Sequence, residues 1–226
     1  MTFTSAVEHV HYFWQSPGIA GKFSTGVSLH SHTHHSKESL GFIPRYSRRI
    51  PILSQLVLHQ ENRYERFSGR RLDFDRGWWT PPLSAREAYD LEAGQIENTL
   101  GLPALVSLSD HDELEASTRL QVIPGPKDVP HSVEWTVPFE ESSFHLGVHN
   151  LPARWAAQVM ERLNGFTENP RQEDLIELLE ILSGFHSTLV VFNHPLWDEP
   201  GIGHDAHRGM LVRFLYATSN TFMPSN

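Results

Sequence analysis

The 226-residue chain contains no cysteine. That excludes disulfides and thiolate metal sites and leaves His, Asp and Glu as the side chains able to hold a metal. No apolar run approaches the roughly 18 residues needed to cross a bilayer. The first residues also lack the basic-then-apolar order of an export signal. Both absences set the expectation of a cytoplasmic protein with no membrane partner. Positive charge is in deficit: 18 Lys and Arg against 27 Asp and Glu give a net charge of −9 and a pI near 5.9. Such a balance argues against a protein that coats nucleic acid. There is no internal repeat and no low-complexity tract. The hydrophobic share of 39% is low-normal, yet enough for the core of one large domain. Histidine is what the chain has in excess, with 15 residues, and that composition points toward metal chemistry.

The sharpest local feature is Leu29-His30-Ser31-His32-Thr33, which closes the apolar run from Val27. Residues two apart on a strand face the same way, so His30 and His32 aim two imidazoles at one point. Neutral imidazoles suit zinc, iron or manganese. Residues 1–23 read as an irregular extension with an aromatic cluster, Tyr12, Phe13 and Trp14, ahead of a domain over 24–226. The first strand is expected over 26–32 and a second is expected to end in Asp110-His111-Asp112. Between them Ser84 and Glu87 form a capping-box pattern that opens a helix stopped by Gly101 and Pro103. Further strands are expected over 132–137, 144–148 and 188–192. Helices are expected from Pro152 to Asn164, ending at Gly165, and from an Asn169 cap to Gly184. Strands alternating with helices predict an α/β domain with a largely parallel sheet.

Residues 41–80 read as an insertion. Eight arginines against four acids make it about +4 in a chain that is otherwise about −13. Two readings stand: a solvated cap laced by internal salt bridges, or an arginine-bearing lid that seats an anionic substrate.

Four polar clusters end or occupy the predicted strands in order: His30 and His32, Asp110-His111-Asp112, Glu134 with His145, and His194 in Asn193-His194-Pro195. Each has a plain explanation alone. A strand-end His is commonly a hydrogen-bonded core residue, and Asp110 or Asp112 could cap the helix that begins near Glu113. Together, and in this order, they resemble the PHP family, the polymerase-and-histidinol-phosphatase domains, which comprises metal-dependent phosphoesterases. The resemblance implies a distorted (β/α)7 TIM-like barrel holding up to three divalent ions of zinc, manganese or iron. It implies His30, His32, His111, Glu134, His145 and His194 as ligands. Glu38 is the candidate for a further ligand, while Lys37 departs from the pattern. It also implies hydrolysis of a small phosphorylated substrate by metal-activated water. Glu134 would bridge ions, and Asp110 or Asp112 would orient the ligands.

The family closes its site with a late Asp-x-His motif. Asp205-Ala206-His207 is the one candidate, but it follows His194 by only eleven residues, which leaves no room for intervening barrel elements. It is expected to be a decoy. The stretch 217–226 is polar and patternless, so the chain is expected to be a truncated or frameshifted reading of a longer gene, with its last βα units missing. Two alternatives follow: a catalytically incomplete fragment that binds metal without turnover, or an amidohydrolase-like metal hydrolase. The latter class wants a bridging lysine on a middle strand, and no Lys ends a predicted strand here.

Overall fold

The computed structural model describes residues 21–48, 50–123 and 129–221. The aromatic cluster at 12–14 and the last five residues of the tail lie outside them. The fold is mixed α/β, with two small sheets and no closed barrel among the described residues. Strand β1 (Gly26–Ser28) pairs in parallel with β2 (Ala104–Val106). Strands β3 (His131–Phe139), β4 (Ser142–Leu151) and β5 (Leu189–Asn193) form an antiparallel sheet in that order. The expected largely parallel sheet is therefore mixed. The cause is local: β3 turns directly into β4 at Glu140, a residue at φ 51, leaving no space for a crossover helix.

The two sheets meet through the segment after β2. A parallel bridge joins His111 to Glu134 on β3, and Glu134 N donates to Asp110 O while Asp112 N donates to Glu134 O. By this pairing β1, β2, β3 and β5 run one way and β4 runs the other. The ends of β1, β2 and β5 thus come to one side of the molecule.

β1 and β2 are shorter than expected. Past Ser28 and Val106 the ladder is drawn off by side chains: Ser31 N donates to Ser109 Oγ, and Thr33 donates to both Asp110 oxygens, from its N and its Oγ1. The segment carrying His30 and His32 remains hydrogen-bonded to the chain after β2 through Ser107 and Ser109.

Seven α-helices are described. Those of the 41–80 segment are α1 (Phe42–Ser47) and α2 (Pro51–Ser68). α3 (Ala85–Leu100) begins with the expected capping box: Glu87 N donates to Ser84 Oγ and Ser84 N donates to Glu87 Oε2. It stops at Gly101 in the left-handed region. α4 (Glu115–Val122) has Leu114 at its N-cap, so neither Asp110 nor Asp112 caps it. α5 (Ala153–Glu168) runs through Gly165 rather than ending there, because Phe166 is buried against Trp135 and offsets the glycine. Asn169 is spent ending α5, so α6 (Gln172–Gly184) starts from Arg171 instead. α7 spans His204–Thr218. No helix among the described residues is long and apolar enough to cross a membrane.

The main core lies on one face of the β3–β4–β5 sheet. Val133, Trp135, Val137, Phe144, Leu146 and Val148 pack against α5, α6 and α7. Trp135 also donates its indole N–H to Leu163 O, so its polar atom is satisfied inside the core. The alternate residues of the same strands face the other way, and there the functional groups collect.

Candidate metal centre

Glu134 sits in the middle of β3 with no solvent exposure. Five imidazoles surround its carboxylate. Oε2 lies 3.2 Å from His32 Nε2, 3.6 Å from His111 Nε2 and 3.6 Å from His30 Nδ1. Oε1 lies 2.9 Å from His194 Nε2 and 3.5 Å from His145 Nδ1. The rings come from four places: the segment after β1, the segment after β2, β4, and the residue following β5. His194 has φ 27, a strained value for a side-chain-bearing residue. Opposite Glu134 on β4 stands Gly147, so no side chain crowds the carboxylate from that strand.

His30 Nε2 and His32 Nε2 are only 3.2 Å apart. Atoms bound to one tetrahedral ion at about 2.0–2.1 Å stand roughly 3.4 Å from each other; the His30–His32 separation is also that of an N–H···N hydrogen bond. Ligand atoms of His30, Glu134 and His194 lie within 4.8 Å of one another, and so do those of His32, His111 and Glu134. Glu134 belongs to both groups and offers a different oxygen to different rings. Its buried Oε2 has no hydrogen-bond partner among the described residues, and neither do the buried Nδ1 atoms of His32, His111 and His145. A buried carboxylate oxygen left unsatisfied beside ring nitrogens fits a site that could hold a cation.

Protonation differs from ring to ring. Burial pushes His111 down to about 3 and also lowers His30 and His145, which leaves their lone pairs free at neutral pH. Burial works to lower His32 as well, but contact with Glu134 overrides it and holds His32 above its usual value. For Glu134 burial alone would raise the carboxyl; the imidazoles of His194 and His32 instead hold it well below the usual carboxylate range.

The remaining predicted residues take different places. Asp110 accepts two hydrogen bonds from Thr33 and so fixes the turn after His30 and His32. Asp112, which burial raises to about 6, accepts from Thr136 N at 2.9 Å. Neither aspartate is in either ligand group. Glu38 sits half-buried near the centre, close enough to feel His32, Glu134 and His194, and burial raises its carboxyl. It too lies outside both groups. Lys37 pairs with Glu113 at 2.8 Å. Asp205 is fully exposed, and His207 Nε2 faces Pro195 O at 2.8 Å. Neither Asp205 nor His207 belongs to either ligand group.

The 41–80 segment leaves and returns beside Glu38, where Trp79 N donates to Glu38 O and Leu40 N donates to Gly77 O. Arg71 pairs with Glu65 within it at 3.3 Å. Residues missed in the sequence include Glu199, 3.9 Å from His145 Nε2, and Trp197, whose ring is 4.9 Å from that of His194. They sit in the loop after β5, where no periodicity marks them. His149 and Asn193 were also missed, although His149 shares the two-residue spacing of His145 and Gly147.

No family model matches the chain, and no curated protein or solved structure matches it.

Proposed function

We propose that this chain is a divalent-metal-dependent hydrolase of phosphate esters, with Glu134 bridging two ions. The observation that carries the reading is the buried Glu134 carboxylate ringed by five imidazoles, with ring nitrogens within 3.6 Å of each oxygen. The ordered motifs that resemble the PHP family support it, and with them a PHP-like barrel relationship and zinc, manganese or iron as the ion. When bound, the ions would supply an activated water and bind phosphoryl oxygens. The chain itself supplies the imidazoles of His30, His111 and His145, which burial keeps neutral, an ionised carboxylate, and Asp110 and Asp112 as braces behind them. The substrate in this reading is a small phosphorylated molecule, as the resemblance to the PHP family implies.

The test is elemental analysis of the purified chain followed by p-nitrophenyl phosphate assays with manganese or zinc. About two ions per chain and turnover abolished in Glu134→Ala are expected. Ion binding with no turnover on any phosphate ester tried would remove the hydrolase reading and leave an ion-binding protein. That second reading draws support from the edges of β1 and β5, which pair with no further strand among the described residues, and from the 43% exposure of the His30 side chain.

A further inference from the structure

His207 lies outside the centre, yet it is tied to the chain that enters it. It stands in the first turn of α7 and is only 3% exposed. Met210, Leu211 and Phe214 seat that helix in the main core, and the His207 ring lies 5.7 Å from that of Phe144 on β4. From this fixed position Nε2 reaches Pro195 O at 2.8 Å. A carbonyl oxygen only accepts, so Nε2 donates and the direction of this bond is settled by its acceptor. The bond joins a core helix to the residue that directly follows His194.

His194 needs such a hold. Its φ of 27 lies in the left-handed region, whereas a residue before proline is pressed toward extended backbone by the proline ring. A side-chain-bearing residue in that state persists only where its surroundings over-determine it. On the near side Asn193 is paired with His145 at the end of β5. On the far side His207 holds Pro195 O, and Trp197 N donates back to His194 O at 2.9 Å. The far end of the same loop is tied to the start of α7, where Asp198 accepts from Ile202 N at 2.9 Å and from Gly203 N at 2.8 Å. With the loop fixed at both ends, His194 Nε2 meets Glu134 Oε1 at 2.9 Å and its ring stands 5.0 Å from that of His145.

We propose that His207 is a positioning residue for His194: its bond to Pro195 O holds His194 in the left-handed conformation that carries the ring to Glu134. His207 serves the centre while belonging to neither ligand group. Only the group of His30, Glu134 and His194 depends on this hold, because that of His32, His111 and Glu134 does not contain His194. The consequence for ion affinity rests on the metal-binding reading above; the placement of His194 does not.

NMR of the metal-free full chain reads that placement directly. In the wild type, His207 is expected to carry a hydrogen on Nε2, the one-bond Cα–Hα coupling of His194 to report a positive φ, and the ring protons of His194 and His145 to share a cross-peak. His207→Leu should lose the positive φ and the cross-peak. His207→Gln, whose amide can still donate to Pro195 O, should keep both. Leu suits the apolar surroundings better than Gln does, so a role in packing alone would give the reverse order. In a manganese titration His207→Leu should lose about 10- to 100-fold in affinity for one ion and keep the other, and His207→Gln should recover the loss. A wild-type His207 protonated on Nδ1 alone, or a wild-type His194 with negative φ, overturns the proposal whether or not any variant folds. So does a His207→Leu chain that keeps the positive φ and the cross-peak, or one that loses both ions equally. A wild-type chain that binds no ion overturns the metal reading alone, because φ and the cross-peak still decide the placement of His194.

Discussion

The two faces of the β3–β4–β5 sheet differ more than any two elements of the molecule. One face presents Val133, Trp135, Val137, Phe144, Leu146 and Val148 to three helices. The other presents Glu134, His145, Gly147 and His149 to the centre. Both sets alternate along the same strands, so one register fixes both. A slip of one residue would place Glu134 in the core and Trp135 among the imidazoles. The apolar face therefore does more than stabilise: by fixing register it places Glu134 and His145. Stability should reside on the first face and ion binding on the second, and mutations separate the two.

The largest effect belongs to the apolar face. Trp135 is fully buried, packs edge-on to Phe166 and bonds to Leu163 O. Trp135→Ala should cost about 4 kcal/mol of unfolding free energy in urea titrations. Whatever fraction stays folded should bind ions with the wild-type stoichiometry. Loss of ion binding in that folded fraction would mean that the faces are not separable.

Glu134→Gln tests the other face. The amide keeps the shape of the side chain but removes the charge that both ligand groups share. Ion affinity by isothermal titration should fall at least about a hundredfold, or about 3 kcal/mol. The metal-free variant should keep its far-ultraviolet circular dichroism and lose less stability than Trp135→Ala. An unchanged affinity would show that Glu134 is not the bridging group.

Most of the strands and helices that build the apolar face were legible in the sequence, and only part of the centre. Capping signals such as Ser84 with Glu87 act over one turn of chain, so the start of α3 could be read locally. His30, His32, His111, Glu134, His145 and His194 stood out because chemically unusual residues ended or occupied the predicted strands in an order that resembles a known family's. The mixed sheet could not be read that way, because the turn at Glu140 carries neither glycine nor asparagine to announce its positive φ. The α5–α6 boundary was misread for a related reason: Asn169 suits either the end of one helix or the start of the next. Glu199 and Asn193 reach the centre only through the path of the chain after β5 and its pairing with β4. Nothing in their neighbours' identities encodes that path.

Acid should expose a smaller difference between the faces. Burial pushes His149 down to about 4 from an ordinary 6.5. Its folded-state value is the lower one, so between those values the unfolded chain binds more protons. The stability linked to neutral His149 is full above pH 6.5 and is lost as pH falls toward 4. Asp112, raised to about 6, opposes this trend, so the wild-type curve alone does not isolate His149. The difference between the wild type and His149→Gln does. Without metal, the wild type should lose about 2 kcal/mol more than the variant between pH 7 and pH 4. Parallel curves would mean that His149 is not held neutral by the fold.

The smallest effect should come from α2, and it tests whether burial, rather than residue type, sets the contrast. Phe214 on α7 is 1% exposed and packs against Phe139, Phe144 and Phe192 on the apolar face. Phe67 on α2 is 94% exposed, and α2 buries no residue at all. The same change therefore meets opposite surroundings: Phe214→Ala leaves a cavity, whereas Phe67→Ala removes a ring already in water. Phe67→Ala should shift unfolding free energy by less than about 0.5 kcal/mol, against several for Phe214→Ala. Ile52, Leu53, Leu56, Tyr64 and Phe67 share one side of α2 by their spacing and are all exposed. A loss above 1 kcal/mol at Phe67, growing with protein concentration, would show that this side is covered by another copy of the chain in solution. The contrast would then lie between two buried surfaces, one within the chain and one between chains.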